Sequence, residues 1–189
     1  MRRAPVLALT LFALTGCASS AQSSSTQATT PPSAVVKSSG GTSSGAAPDA
    51  ASMVCGPEIQ DSLQRHLQLG SKPRGASTWD GKQFVCTFRL ADGPLVLTVL
   101  AHRSPTAATQ SLAQQRSSIA GSRPITGLAA FGLPAAQADP GIVLFARDAF
   151  TLRVDSTGMD DPIGPFKRSR VEFAYSIAAD VIACWKEHH

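Results

Sequence analysis

Few side chains in this 189-residue chain are of types that carry chemistry on their own, and their spacing narrows the choice further. Four are cysteines: Cys17, Cys55, Cys86 and Cys184. Cys17 follows the aliphatic Leu14 and the small residues Thr15 and Gly16. Four are histidines: His66, His102 and the terminal pair His188-His189. None has a His at i+4 or a Cys at i+3, the spacing that puts two metal ligands on one helix face. The terminal pair reads as a frayed tail. Asp160-Asp161 has the residue types for calcium binding or acid–base work, but Gly158 and Pro162 around it make it a turn. Trp79-Asp80-Gly81 reads the same way, as a turn with a packed indole. There is no Gly-x-Ser-x-Gly elbow, phosphate-binding glycine loop or zinc-protease motif. We expect no catalytic residue, no metal ligand and no cofactor.

The chemistry the sequence does spell out lies at the start. Met1-Arg2-Arg3 is a short positive segment, and Ala4 to Leu14 is apolar except for Thr10, too short to span a bilayer as a helix. Leu14-Thr15-Gly16-Cys17 then resembles a lipobox. That resemblance implies a diacylglyceryl thioether on Cys17 and cleavage between Gly16 and Cys17. Two acyl chains hold a protein stably where one does so marginally. Residues 1–16 are thus expected to be a lipoprotein signal peptide, with the mature chain on the extracytoplasmic face of a membrane.

Residues 17–52 consist mainly of Ser, Ala, Thr, Gly, Gln and Pro, with Lys37 and Asp49 as the charges and no aromatic residue. Such composition cannot bury enough apolar surface to offset ordering entropy, so a disordered tether is expected. Residues 53–189 have the size of one domain. The precursor has a formal charge of +4, two units of which belong to Arg2 and Arg3. The remaining charges are scattered, with one short cluster at Lys167, Arg168 and Arg170. No basic stripe interleaves with aromatics, which argues against a nucleic-acid partner.

Outside the cytosol disulfides persist, and Cys55, Cys86 and Cys184 allow three single pairings. Cys55 with Cys86 is the expected one, pinning the start of the first helix to the first strand. Cys184 has helical spacing with Ile177 and Val181 and is expected on a buried face as an inert small hydrophobe.

The elements that must carry these residues follow from periodicity. Ile59, Leu63 and Leu67 predict a helix over 57–69, stopped by Gly70. Phe84, Cys86, Phe88 and Leu90 alternate with Gln83, Val85, Thr87 and Arg89 and predict a strand over 82–90, with a turn at Ala91-Asp92-Gly93 and a returning strand over 95–101. Ser104-Pro105 starts a helix with a weak apolar face that ends at Gly121. Residues 142–146 and 150–155 predict a second hairpin. Ser169 and Glu172 form a capping box for a last helix to about Lys186, with Val171, Ala174, Ile177, Ala178, Val181 and Trp185 on its core face. The sum is an α+β domain of two layers, an antiparallel sheet of two hairpins covered by about three helices.

Several of these patterns together resemble a family of small actinobacterial cell-envelope lipoproteins built on an uncharacterised domain. They are Cys55 ahead of the first helix, Cys86 in the first strand, Gly127-Leu128-Ala129-Ala130-Phe131-Gly132 ahead of the second hairpin, and the closing amphipathic helix. Ala129 and Ala130 stand where that family usually has a glycine and an acidic residue. The resemblance implies an envelope location and supplies no catalytic residues. The expected function is a membrane-tethered, non-enzymatic binding or accessory module with an envelope protein as partner. The alternative is a carrier or sensor of an apolar small ligand such as a lipid. A cavity under the second helix favours the carrier. An exposed apolar patch with a polar rim favours the protein partner.

Overall fold

The structure, a computed structural model, describes residues 45–187. The signal segment, Cys17, most of the expected tether and His188-His189 lie outside the described residues. Four α-helices and seven strands follow one another as α1 (Asp49–Ser52), α2 (Pro57–Leu67), β1 (Gly75–Trp79), β2 (Gln83–Leu90), β3 (Gly93–Ala101), α3 (Pro105–Ser118), β4 (Arg123–Pro124), β5 (Ala135–Ala138), β6 (Ile142–Arg147), β7 (Phe150–Asp155) and α4 (Arg170–Glu187). Short 3-10 turns occupy Met53–Cys55 and Gly127–Ala130. The fold class is α+β. All seven strands pair antiparallel in one sheet of order β1-β2-β3-β7-β6-β5-β4.

Both expected hairpins are present, β2–β3 and β6–β7, and they join through β3 and β7, where Leu97 faces Val154 and Val99 faces Leu152. Two hairpins are nevertheless too few. β1 adds to one edge, and β5 with the two-residue β4 adds to the other. β1 is mostly exposed and polar, and β5 reads Ala-Ala-Gln-Ala, so neither carries the alternation of large apolar residues that marks a strand.

Nor does one layer of helices cover the sheet. Strand alternation puts Val143, Phe145, Leu152 and Val154 in the main core with Leu63, Phe173, Ile177 and Trp185 of α2 and α4. Ile142, Leu144 and Ala146 face the other way, into a smaller cluster with Ala108 and Leu112 of α3. β6 is thus buried on both faces, which explains its unbroken apolar run. Alanine at 108, 136, 138 and 146 lets α3 lie close to the sheet with little apolar bulk, so its stripe is faint in the sequence. Its N-terminus is capped as expected, the Ser104 hydroxyl accepting from the Ala107 N–H at 3.2 Å. Below it Thr151 is buried, accepting from His102 Nε2 at 2.8 Å and donating to the Ala108 carbonyl at 3.3 Å. Burial disfavours the charged imidazole and, with the nearby Lys82 charge, lowers the His102 pKa below 6.5.

The folded region begins earlier than residue 53. Ala50 and Ala51 are buried, the Ala50 carbonyl accepts from the Trp185 indole N–H at 2.7 Å, and the Gly45 carbonyl accepts from Trp79 Nε1 at 2.9 Å. Alanine, read as tether composition, here serves as a small residue that packs where a larger one cannot. The disulfide joins Cys55 to Cys86 with a Cα–Cα distance of 5.6 Å, closing a loop of 31 residues, worth about 3–4 kcal/mol in the chain-entropy model. It lies against Gly75 of β1, where an added Cβ meets the two sulfurs at 2.5 and 2.6 Å, so that position excludes any side chain. Cys184 is outside this disulfide, and it is half-buried rather than buried.

Val181 is 1% exposed on α4, while Asp160 and Asp161 are exposed in the loop before it. Val181→Asp buries an unpaired carboxylate, which costs several kcal/mol of the about 5–15 kcal/mol such a domain holds. We expect that variant to lose its cooperative melt. Asp160→Ala with Asp161→Ala is expected to melt within a degree or two of the parent, with or without calcium. Thermal melts followed by circular dichroism check both.

Candidate functional site

Among the described residues no group of three or more His, Cys, Asp or Glu side chains converges to hold a metal ion. No described helix is long and apolar enough to cross a membrane. Of the residues singled out in the sequence, Cys55 and Cys86 are brought together, and Cys17 falls outside the described residues. Asp80 is a turn former, its Oδ1 accepting from the backbone N–H groups of Gln83 and Lys82 at 2.6 and 2.9 Å, which lowers its pKa.

A polar cluster that sequence reasoning missed lies between α2 and α4. Asp180 Oδ2 accepts from the Ser62 hydroxyl, which is 1% exposed, and from His66 Nε2 at 3.0 Å. Arg168 Nη1 lies 2.8 Å from His66 Nδ1 and 3.3 Å from the Ser176 hydroxyl. A guanidinium only donates, so Nδ1 is the acceptor and the ring proton sits on Nε2, facing the carboxylate. The residue types are those of a nucleophile triad, but the order is wrong. A triad places histidine between hydroxyl and carboxylate, so that the ring takes the hydroxyl proton. Here the carboxylate is in the middle, and the hydroxyl is spent on it inside the helix packing. The cluster ties α2 to α4 and to the segment before α4. Ser62 and His66 are four apart on α2, a visible spacing, but Asp180 is 114 residues from His66 and its partnership has no sequence signal.

Two open clefts flank the outer surface of α4. Between them stands the Gly127–Ala130 turn with Phe131, the stretch that resembles the envelope lipoproteins. The turn is fixed to the helix: the Tyr175 hydroxyl donates to the Ala129 carbonyl at 2.8 Å, and the Phe131 ring stacks on Tyr175 at an interplanar angle of 8°. Gly127, Phe131 and Gly132 all have positive φ, so the chain reverses tightly here and turns Leu128 outward, 97% exposed.

On one side of the turn a cleft of about 590 Å³ is lined by Leu128, Phe131, Leu133, Ala179, Ile182 and Ala183, rimmed by Arg147, Asp148 and Lys186. On the other a cleft of about 1020 Å³ runs along the first half of α4. Its walls include Arg123, Gln137, Phe166, Lys167, Arg168 and Tyr175. Glu172 also faces it, but is engaged in the predicted capping box, accepting from the Ser169 N–H at 2.9 Å and its hydroxyl at 2.8 Å. The Ser169 backbone first and then its hydroxyl lower the Glu172 pKa. At the end of α3 a third open cleft touches Ile119 and Gly121. Its lining includes neither of the residues, Ala108 and Leu112, that α3 buries against the sheet.

No family model matches the chain, and no match is found among curated proteins or solved structures. Function must therefore be argued from these surfaces.

If the Ser62–Asp180–His66 cluster is a clamp between helices, Asp180→Ala leaves a buried hydroxyl without its acceptor. The expected loss is about 1–3 kcal/mol, with Asp180→Asn retaining most of it because the amide oxygen still accepts. Urea unfolding of the two variants, compared at equal m-value, checks the order.

Proposed function

We propose that this chain is an extracytoplasmic lipoprotein, held to a membrane by lipid on Cys17, whose folded region is a non-enzymatic binding module of the cell envelope with a protein partner. The lipobox and the resemblance to actinobacterial envelope lipoproteins support the location. The observation that supports a protein partner is the exposed apolar surface at Leu128 and Phe131 beside the cleft lined by Leu133, Ile182 and Ala183. Leu128, Phe131 and Phe166 are the exposed large hydrophobic residues among those described, and two of the three stand on this one turn. Burying a leucine from full exposure is worth about 1.5–3 kcal/mol, and an apolar centre with a charged rim is the anatomy of a docking surface. The turn is anchored by Tyr175, so the surface is already in shape for binding and little ordering entropy opposes it.

The carrier alternative draws on the apolar lining of the same cleft. An apolar carrier encloses most of its ligand, whereas the clefts here open to solvent, which favours the protein partner. An enzymatic role has the least support, since the one cluster with suitable residue types is ordered as a clamp.

Two variants test the two halves. Cys17→Ala is expected to move the protein from the membrane pellet to the supernatant after carbonate and salt washes, with an unchanged melt; retention in the pellet defeats the lipid-anchor reading. A photo-crosslinking residue at position 128, used in the protein's own envelope, is expected to give a discrete protein adduct that Ala183→Glu, on the exposed wall of the same cleft, abolishes without lowering the melting temperature. Lipid-only adducts, or none, speak against a protein partner at this surface.

A further inference from the structure

The third exposed hydrophobic residue, Phe166, sits apart from that surface, on the far wall of the larger cleft. How it is presented is informative. Ile163, 1% exposed, and Arg168 form a two-way bridge, Ile163 N–H to the Arg168 carbonyl at 2.8 Å and Arg168 N–H to the Ile163 carbonyl at 3.1 Å. The bridge closes a four-residue tip, Gly164-Pro165-Phe166-Lys167. Gly164 has φ 63° and Lys167 has φ 51°, the second a left-handed conformation that a non-glycine residue adopts only when its surroundings impose it. A core-anchored ladder and an unfavourable lysine backbone together push an aromatic ring, 54% exposed, and an ammonium into solvent.

The charged side chains that line the cleft at that ring are mostly basic, although Asp160 and Asp161 are exposed earlier in the same loop. Lys167 takes part in no ion pair among the described residues. Arg168, held by His66 and Ser176, places its guanidinium 5.4 Å from the Phe166 centroid. Arg123 faces them across the cleft, although Asp139 at 2.6 Å balances part of its charge. The carboxylate on the cleft wall, Glu172, is turned into its own helix cap. From residue 45 to the end the chain carries fourteen basic and thirteen acidic residues, so this excess is a property of the tip and not of the domain.

An exposed phenylalanine followed by an exposed lysine, with an arginine behind them, is the chemistry of the bilayer interface, where the ring enters the boundary between headgroups and acyl chains and the ammonium meets lipid phosphates. We propose that the Phe166-Lys167-Arg168 tip docks the domain onto the anionic leaflet of the membrane to which Cys17 tethers it. The proposal rests on the lipid-anchor reading but not on the protein partner. Cys17 lies 28 positions before Gly45, and 28 residues can span at most about 90–100 Å, so chain length is no bar to the tip reaching the bilayer. Attachment to the same membrane through Cys17 makes the tip's contact intramolecular, so a weak contact suffices to orient the domain. The apolar surface at Leu128, across the turn, is left for its partner.

The test uses the chain from residue 17 with Cys17→Ala, which has no lipid, in co-sedimentation with vesicles. One set contains about one-third phosphatidylglycerol in phosphatidylcholine, the other phosphatidylcholine alone. We expect binding to the anionic vesicles that falls with added salt. Phe166→Ser with Lys167→Glu should weaken it at least about ten-fold, since each basic group contributes about five-fold at such a surface. That variant should melt like its parent, and Leu128→Asp should bind vesicles as the parent does. Equal binding to both vesicle types, binding unaffected by the Phe166/Lys167 substitutions, or no binding at millimolar lipid overturns the proposal. So does a glycerol phosphate solution that binds the protein as well as the vesicles do, since the ligand is then a free phosphate. If instead Cys17→Ala remains in washed cell membranes, it is the lipid-anchor reading that fails.

Discussion

The indole of Trp185 holds the two ends of the fold together. It is buried, among the largest of the fully buried side chains, and its N–H donates to the carbonyl of Ala50, 135 residues earlier. Its ring meets Phe150 of β7 at 6.0 Å. One side chain thus fixes the last turns of α4 to the sheet and closes the N-terminal segment over the same core. The rest follows in order. With α4 in place, Ile177 and Val181 cover the sheet, Asp180 faces Ser62 and His66 on α2, and Tyr175 faces the 127–131 turn. The disulfide acts at the other edge, fixing the segment before α2 to β2. The two constraints are complementary: a covalent bond where the edge strand β1 packs weakly, and an aromatic residue with a satisfied hydrogen bond where the core is deep.

The parts of this architecture that were legible in the sequence are those whose local signal agrees with their tertiary role. α4 has a capping box and a full apolar stripe. β2 alternates cleanly because one face is covered by helices. The Cys55–Cys86 pairing was read as a pin from the start of the first helix to the strand over 82–90, and the structure makes that bond. What was illegible shares one cause, the use of alanine and glycine for close approach. Alanine contributes neither an apolar stripe nor strand propensity, so β5 vanished, α3 looked like a surface helix, and residues 45–52 looked like tether. Cys184 shows the limit of reading by spacing. A cysteine in line with Ile177 and Val181 is only half-buried, while Trp185 beside it is buried.

The candidate surfaces divide similarly. The Gly127-to-Gly132 stretch was visible only through its resemblance to the envelope lipoproteins, and the structure, with positive φ at Gly127, Phe131 and Gly132, exposes Leu128 and Phe131 there. The Asp180 cluster was invisible because its members lie on three elements. Its chemistry is decided by connectivity rather than composition. The same serine, histidine and carboxylate become a proton relay or a clamp according to which group is in the middle. Here one carboxylate oxygen, Oδ2 of Asp180, accepts from both Ser62 and His66, which suits holding two helices in register.

That rigidity bears on how the outer surface of α4 is used. Arg168 belongs both to the clamp, through His66 and Ser176, and to the tip, through its place over Phe166. Its guanidinium is therefore a strut: the half-buried cluster fixes the arginine, the arginine backs the aromatic ring, and the Ile163–Arg168 bridge fixes the backbone beneath them. A flexible loop carrying the same residues would lose conformational entropy on meeting any surface, and an exposed charge alone gains little there in salt. Seating the tip on a clamp between two core helices removes most of that entropic cost before any contact is made. The 127–131 turn, tied to Tyr175 on the same helix, follows the same logic from the other side. α4 thus serves as a common beam, with one face in the core and the other carrying two preformed projections, one apolar and one cationic.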